Sequence, residues 1–98
     1  MEAEVVVYFA DGHNVVGQIF ISQAGLSVKK RTLFGGYSKN EALHIDLKDI
    51  AETKIDKYRM NKKAYYITTK DGNSYILGIG IPDITIPYID SLIEETKK

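Results

Sequence analysis

Roughly seven short strand-like segments follow one another across residues 5–81, each ended by turn residues, and a single amphipathic helical segment at about 86–96 closes the chain. That order constrains the fold more than any other feature. It predicts a mainly β domain of about seven antiparallel strands in two sheets, a partly open barrel with the C-terminal α-helix plugging one end. With 98 residues there is material for one core, so residues 1–98 are expected to form a single domain with one site at most.

Two hairpins are legible. Segments 5–9 and 15–21 flank Asp11-Gly12-His13-Asn14, and segments 64–70 and 74–81 flank Asp71-Gly72-Asn73. Asp-Gly favours tight reversal because glycine tolerates the positive φ that hairpin turns demand. Val15, Gly17, Ile19 and Ile21 share one face of the second strand, where Gly17 marks a bend or a close backbone approach. Gln23-Ala24-Gly25 reverses the chain into 26–33, with Leu26 and Val28 inward. Phe34-Gly35-Gly36-Tyr37-Ser38-Lys39-Asn40 is the longest irregular stretch and is expected to be a mobile loop. Alternation over 43–47 puts Leu43, Ile45 and Leu47 on the core side. Ile50 and Ile55 lie five apart, which predicts a strand over 50–58 with a bulge near Glu52-Thr53; a helix across 49–57 competes. Tyr65 and Tyr66 leave the inward face of the sixth strand open. Gly78 and Gly80, opposite Tyr75, Leu77 and Ile79, would let the final helix pack closely. For that helix, Thr85 is the expected N-cap, Pro87 lies in the first turn, and Ile86, Ile89, Leu92 and Ile93 form the apolar stripe.

Composition narrows the chemistry. Cysteine is absent, which removes disulfides and thiolate metal sites and makes a reducing cytoplasm the expected compartment. The start Met1-Glu2-Ala3-Glu4 is acidic where a signal peptide would be basic, and the longest apolar stretch, 5–10, is far too short to span a bilayer. Thirteen Lys and Arg balance thirteen Asp and Glu, which argues against a specific nucleic-acid partner. The charge is nonetheless segregated, at −3 over residues 1–28, +6 over 29–70 and −3 over 71–98, so an electrostatic partner would meet the middle third.

No motif points to catalysis. His44 and Asp46 share a strand face but are two ligands, not a metal site; the five serines lack an elbow motif, and Gly35-Gly36 lacks the spacing of a phosphate loop. Neither a metal nor a cofactor is expected, and the chain is read as a non-enzyme. Two basic groups stand out. Lys29-Lys30-Arg31 leads to Lys39 past the aromatics Phe34 and Tyr37, and Lys29, Arg31, Phe34, Tyr37 and Lys39 are the candidate partner surface. Lys54, Lys57, Arg59, Lys62 and Lys63 gather around Met60-Asn61 and read as a solvated strand end.

The run Val16-Gly17-Gln18-Ile19-Phe20-Ile21, then Gly25-Leu26-Ser27-Val28 and Ile45-Asp46-Leu47-Lys48-Asp49-Ile50, resembles PH-like domains of the GRAM or prokaryotic type. Gly17, Ser22 and Leu26, then Ile45, Leu47, Asp49 and Ile50, fill the slots of that pattern. The resemblance implies a helix-capped, partly open barrel. In family members that grip phosphoinositides the cations come from the first two strands and the loop between them. This chain has no Lys or Arg before Lys29, so what the resemblance implies here is an adaptor for a protein or peptide, with weak anionic-membrane association and a cytoplasmic or peripheral location. The segment Phe20-Ile21-Ser22-Gln23-Ala24-Gly25-Leu26 is also similar to the D/N-x-S-x-x-G turn of PilZ domains. Ser22 and Gly25 match, but Phe20 replaces the acidic or amide residue and the arginine pair is missing. The alternatives are therefore a degenerate PilZ-like barrel without its cyclic-dinucleotide clamp, or a small enzyme without a recognisable motif.

Overall fold

The computed structural model describes residues 1–59 and 62–97. Seven strands, β1 (Glu2–Phe9), β2 (Asn14–Ser22), β3 (Gly25–Arg31), β4 (Tyr37–Ile45), β5 (Ile50–Tyr58), β6 (Lys62–Thr69) and β7 (Ser74–Ile79), precede one helix, α1 (Pro82–Thr96). All pairings are antiparallel, and the strands form one hydrogen-bonded sheet in the order β4-β3-β2-β1-β7-β6-β5, where the sequence reading expects two sheets. β1 sits at the centre because it pairs with β2 on one side and β7 on the other, which joins the two hairpin sets. No helix among the described residues is long and apolar enough to cross a membrane.

Strand alternation fills the inner face with Val5 and Val7 of β1, Ile19 and Ile21 of β2, Leu26 and Val28 of β3, Ile45 of β4, Tyr65 and Ile67 of β6 and Leu77 and Ile79 of β7. The tyrosine ambiguity in β6 is thereby resolved: Tyr65 is inside and Tyr66 outside. Ile86, Ile89, Leu92 and Ile93 of α1 join the same cluster. Each such side chain contributes about 1.5–3 kcal/mol on burial, enough to hold a single helix on the sheet. Tyr65 reaches the helix with its polar end as well, donating a 2.5 Å hydrogen bond to Asp90.

Several boundaries move. The 34–40 stretch is not a long loop, because β4 begins at Tyr37 and only 32–36 turns between strands. Leu47 stays buried as expected but in a short 3-10 turn, Leu47–Asp49. Residues 50–58 are strand, not helix, with the register shift between Ile50 and Glu52, just ahead of the expected bulge. The helix starts at Pro82, four residues before the apolar stripe. Thr85 is therefore inside the first turn, its hydroxyl donating to the Gly80 carbonyl at 3.1 Å, while Ile81 occupies the cap position at φ 51°. Pro82 takes the first-turn slot that the sequence reading expects for Pro87, and Pro87 lies within the helix, where the missing N–H forfeits a backbone bond. The Met60-Asn61 turn lies outside the described residues.

Gly17 answers to its expected role. A Cβ there would stand 1.9 Å from the Lys29 carbonyl oxygen, so β2 and β3 approach more closely than any side chain permits. Gly78 and Gly80 behave differently from expectation. The helix covers the face of Leu77 and Ile79, and the glycines look out of the opposite face of the sheet.

Candidate functional site

Alternation sends Val6 and Tyr8 of β1 outward, and the β1–β7 register sets Val6 opposite Gly78. With no side chain at Gly78, the only atom within 4 Å of a would-be Cβ is the Val6 carbonyl oxygen at 3.8 Å, so the centre of the outer face is hollow. The hollow is a groove of about 620 Å³. Val6, Gly78 and Gly80 form its floor. On the β2–β3 side stand Val16 and Arg31, with Glu4 from β1; on the β5–β6 side stand Tyr58, Arg59, Lys62 and Lys63. Thus Arg31 from the first basic group and Arg59, Lys62 and Lys63 from the second face one depression.

Arg59 is the most constrained of these cations. Its backbone lies in the left-handed region at φ 40°, costly for a side chain of its size, and its guanidinium rests 5.2 Å from the Tyr8 ring centre and 5.4 Å from that of Tyr58. The two rings meet at 4.8 Å, and Tyr66, with Lys54 over it at 5.1 Å, extends the aromatic row edge-on behind Tyr58. Arg31 bonds Glu4 at 3.1 Å, and Lys63 bonds Asp83 at 2.8 Å, which holds the Asp83 carboxyl below its ordinary pKa. Among the described residues no carboxylate pairs with Arg59 or Lys62, so an anionic ligand would find these charges available. The lining contains no histidine, serine or threonine among the described residues.

The five residues named from sequence divide. Arg31 enters the groove and lies across from Tyr37 in the β3–β4 register; the Tyr37 side chain and then Glu4 raise its pKa above the ordinary value. The Lys29 ammonium is 5.7 Å from the Phe20 ring centre, outside the groove lining. Phe34 is at the β3–β4 turn, and Lys39 is exposed further along β4. Tyr8, Tyr58, Gly78 and Gly80 were missed as site residues. Their only sequence signal is strand parity, which puts all four on the face away from the core.

His44 belongs to a second polar cluster. Its ring bonds Glu41 at 3.0 Å and Asp46 at 2.8 Å, and Ser27 donates to Glu41. Asp46, then Glu41, raise the His44 pKa; Ser27, then His44, lower that of Glu41. Both ring nitrogens are thus engaged by carboxylates, and among the described residues no group of side chains is arranged to hold a metal. Ser22, the matched serine of the PilZ-type turn, accepts a hydrogen bond from the Ala24 N–H at 3.2 Å and so closes its own reversal. No protein-family model matches this chain, and no curated protein matches it.

Proposed function

We propose that the chain is a non-enzymatic, PH-like binding module acting as an adaptor, and that its outer groove seats an extended, acidic segment of a partner protein. The observation that carries this reading is the groove itself: an apolar, glycine-floored trough bounded by an aromatic row and by cations, two of which have no carboxylate partner among the described residues. Glycine on the floor admits backbone close to backbone, tyrosines offer rigid contact area, and Arg59 and Lys62 supply charge-assisted hydrogen bonds. The strand order, with β4 and β5 at opposite edges and a single terminal helix, supports the PH-like part. So does the core. Seven strands laid flat would span about 30 Å, whereas α1, 15 residues and about 22 Å long, shares one apolar cluster with Ile45 of β4 and Tyr65 of β6. A sheet curled toward a partly open barrel accounts for that sharing.

The test is selection from a random peptide library on the purified chain, followed by titration of the recovered peptides by fluorescence anisotropy. Acidic peptides should be enriched, and Arg59→Glu and Tyr8→Ala should each weaken them about ten-fold or more. Recovery of neutral or basic sequences, or binding indifferent to both substitutions, would refute the assignment.

A further inference from the structure

The β3–β4 turn is built to the same plan as the two Asp-Gly hairpins, β1–β2 and β6–β7. In each, the residue that opens the turn accepts from the glycine three positions on and donates to the carbonyl four positions on: Phe9 with Gly12 and His13, Thr69 with Gly72 and Asn73, and Thr32, one past the end of β3, with Gly35 and Gly36. The glycines have φ of 95°, 92° and 84°. Even the threonine bond recurs, from Thr69 to Asn73 O at 3.2 Å and from Thr32 to Gly36 O at 3.1 Å. The two positions before the glycine hold Ala10-Asp11 and Lys70-Asp71 in the sister turns but Leu33-Phe34 in this one. Asp11 and Asp71 each accept a backbone N–H two residues on, a bond that Phe34 gives up. The turn therefore needs no apolar residue there. Yet Leu33 and Phe34 are 99% and 98% exposed.

We propose that this tip is an anchor that inserts into an anionic lipid surface, a contact that shares only Arg31 with the groove. Two adjacent, fully exposed large apolar side chains on a closed turn form a protrusion, which suits a deformable interface. Directly behind them Arg31 and Tyr37 face one another across the hairpin, with Lys30 and Lys39 on the same two strands. Residues 29–40 carry four cations and no acid. Tyrosine and lysine or arginine one step behind an apolar tip match the layering of a bilayer, acyl region first and then anionic headgroups. Lys30 and Lys39 supply that attraction along with Arg31, whose guanidinium also bonds Glu4.

The chain contains no tryptophan, so Phe34→Trp places a sole indole at the tip. Added to phosphatidylcholine vesicles containing phosphatidylserine, that variant should show blue-shifted emission and quenching by lipids brominated in the acyl chain; pure phosphatidylcholine should give little of either. Flotation of the wild-type chain with the anionic vesicles should fall about thirty-fold on the paired change Leu33→Ala and Phe34→Ala, with melting temperature unchanged. Raised salt should weaken it as well. Tyr8→Ala, which disables the groove, should leave flotation intact and so separates failure here from failure of the peptide assignment. An indole indifferent to anionic vesicles, or flotation unaffected by the paired change, overturns the anchor and leaves the tip to a protein pocket.

Discussion

Gly17 and Gly78 lie in neighbouring parts of one sheet, and alanine at the two positions should have opposite consequences. At Gly17 the added Cβ would stand 1.9 Å from the Lys29 carbonyl oxygen and 3.1 Å from the Lys30 Cα. Both are backbone atoms, so no rotamer relieves the clash, and β3 must retreat by more than an ångström at the place where Gly17 faces Lys30 in the ladder. Strain of about 1–3 kcal/mol and the loss of one or two backbone hydrogen bonds at about 1 kcal/mol each give a destabilisation of about 2–5 kcal/mol. For a domain of 98 residues each kcal/mol moves the midpoint by about 5 °C, so Gly17→Ala should melt about 10–25 °C below wild type. Gly78→Ala meets nothing closer than 3.8 Å and removes a conformationally free residue from a strand, a gain of about 0.5–1 kcal/mol. Its melting point should hold or rise by a few degrees, while its methyl fills the groove floor and should weaken binding of the acidic peptides proposed for it. Circular dichroism melts of the two variants beside wild type decide the matter. A Gly17→Ala protein melting within about 3 °C of wild type would show that the strands are not in fact held that close.

Removal of residues 86–98 should leave an unfolded chain by far-ultraviolet circular dichroism, and Ile89→Ala, at a position with no exposure, should cost about 2–5 kcal/mol; a truncated chain that still melts cooperatively near the wild-type midpoint would refute the plugging role of α1. Tyr65→Phe deletes the buried hydroxyl that bonds Asp90 and should cost about 1–3 kcal/mol in urea titration. Burial first, and Asp90 second, raise the Tyr65 pKa beyond the phenol range, so in an alkaline absorbance titration one of seven tyrosines should resist ionisation until the fold is lost. The polar cluster on β3 and β4 sets a pH window. The raised His44 pKa stabilises the fold below the ordinary histidine value and fades as pH rises through the folded value, and the lowered Glu41 pKa stabilises it above the ordinary glutamate value and fades as pH falls. The cluster's contribution should therefore peak between about pH 5 and 6.5, and His44→Gln should flatten that part of a plot of melting temperature against pH.

The parts of the fold that were legible are those specified by neighbours in sequence. Asp-Gly between β-branched runs identified both flanking hairpins, and the 3.6-residue spacing of Ile86, Ile89 and Ile93 identified the core face of α1. Misreadings arose where a distant partner decides. Tyr37 to Ala42 carry no apolar alternation, and they are strand because β3 lends them a ladder, with Arg31 opposite Tyr37 and Lys29 opposite Glu41. The start of α1 was misplaced because Pro82 and Asp83 satisfy first-turn preferences that periodicity does not register.

The site was less legible than the fold for a related reason. Arg31 and Arg59 each lie among basic neighbours at the end of a strand, and in sequence each group has the form of a solvated edge. They converge because β1 and β7 pair at the centre of the sheet, which sets the β2–β3 arm and the β5–β6 arm on either side of one hollow. The hollow itself is specified by missing side chains, Gly78 and Gly80, and a glycine in a strand signals only that some other group comes near. From sequence the final helix is the obvious candidate for that neighbour. Once Leu77 and Ile79 are committed to the helix, the glycines must face outward, where the nearest groups are the β1 backbone at Val6 and Glu4 rather than the helix. Filling the groove with the Gly78→Ala methyl while the core stays unchanged is therefore the most direct separation of binding from folding that this sheet offers.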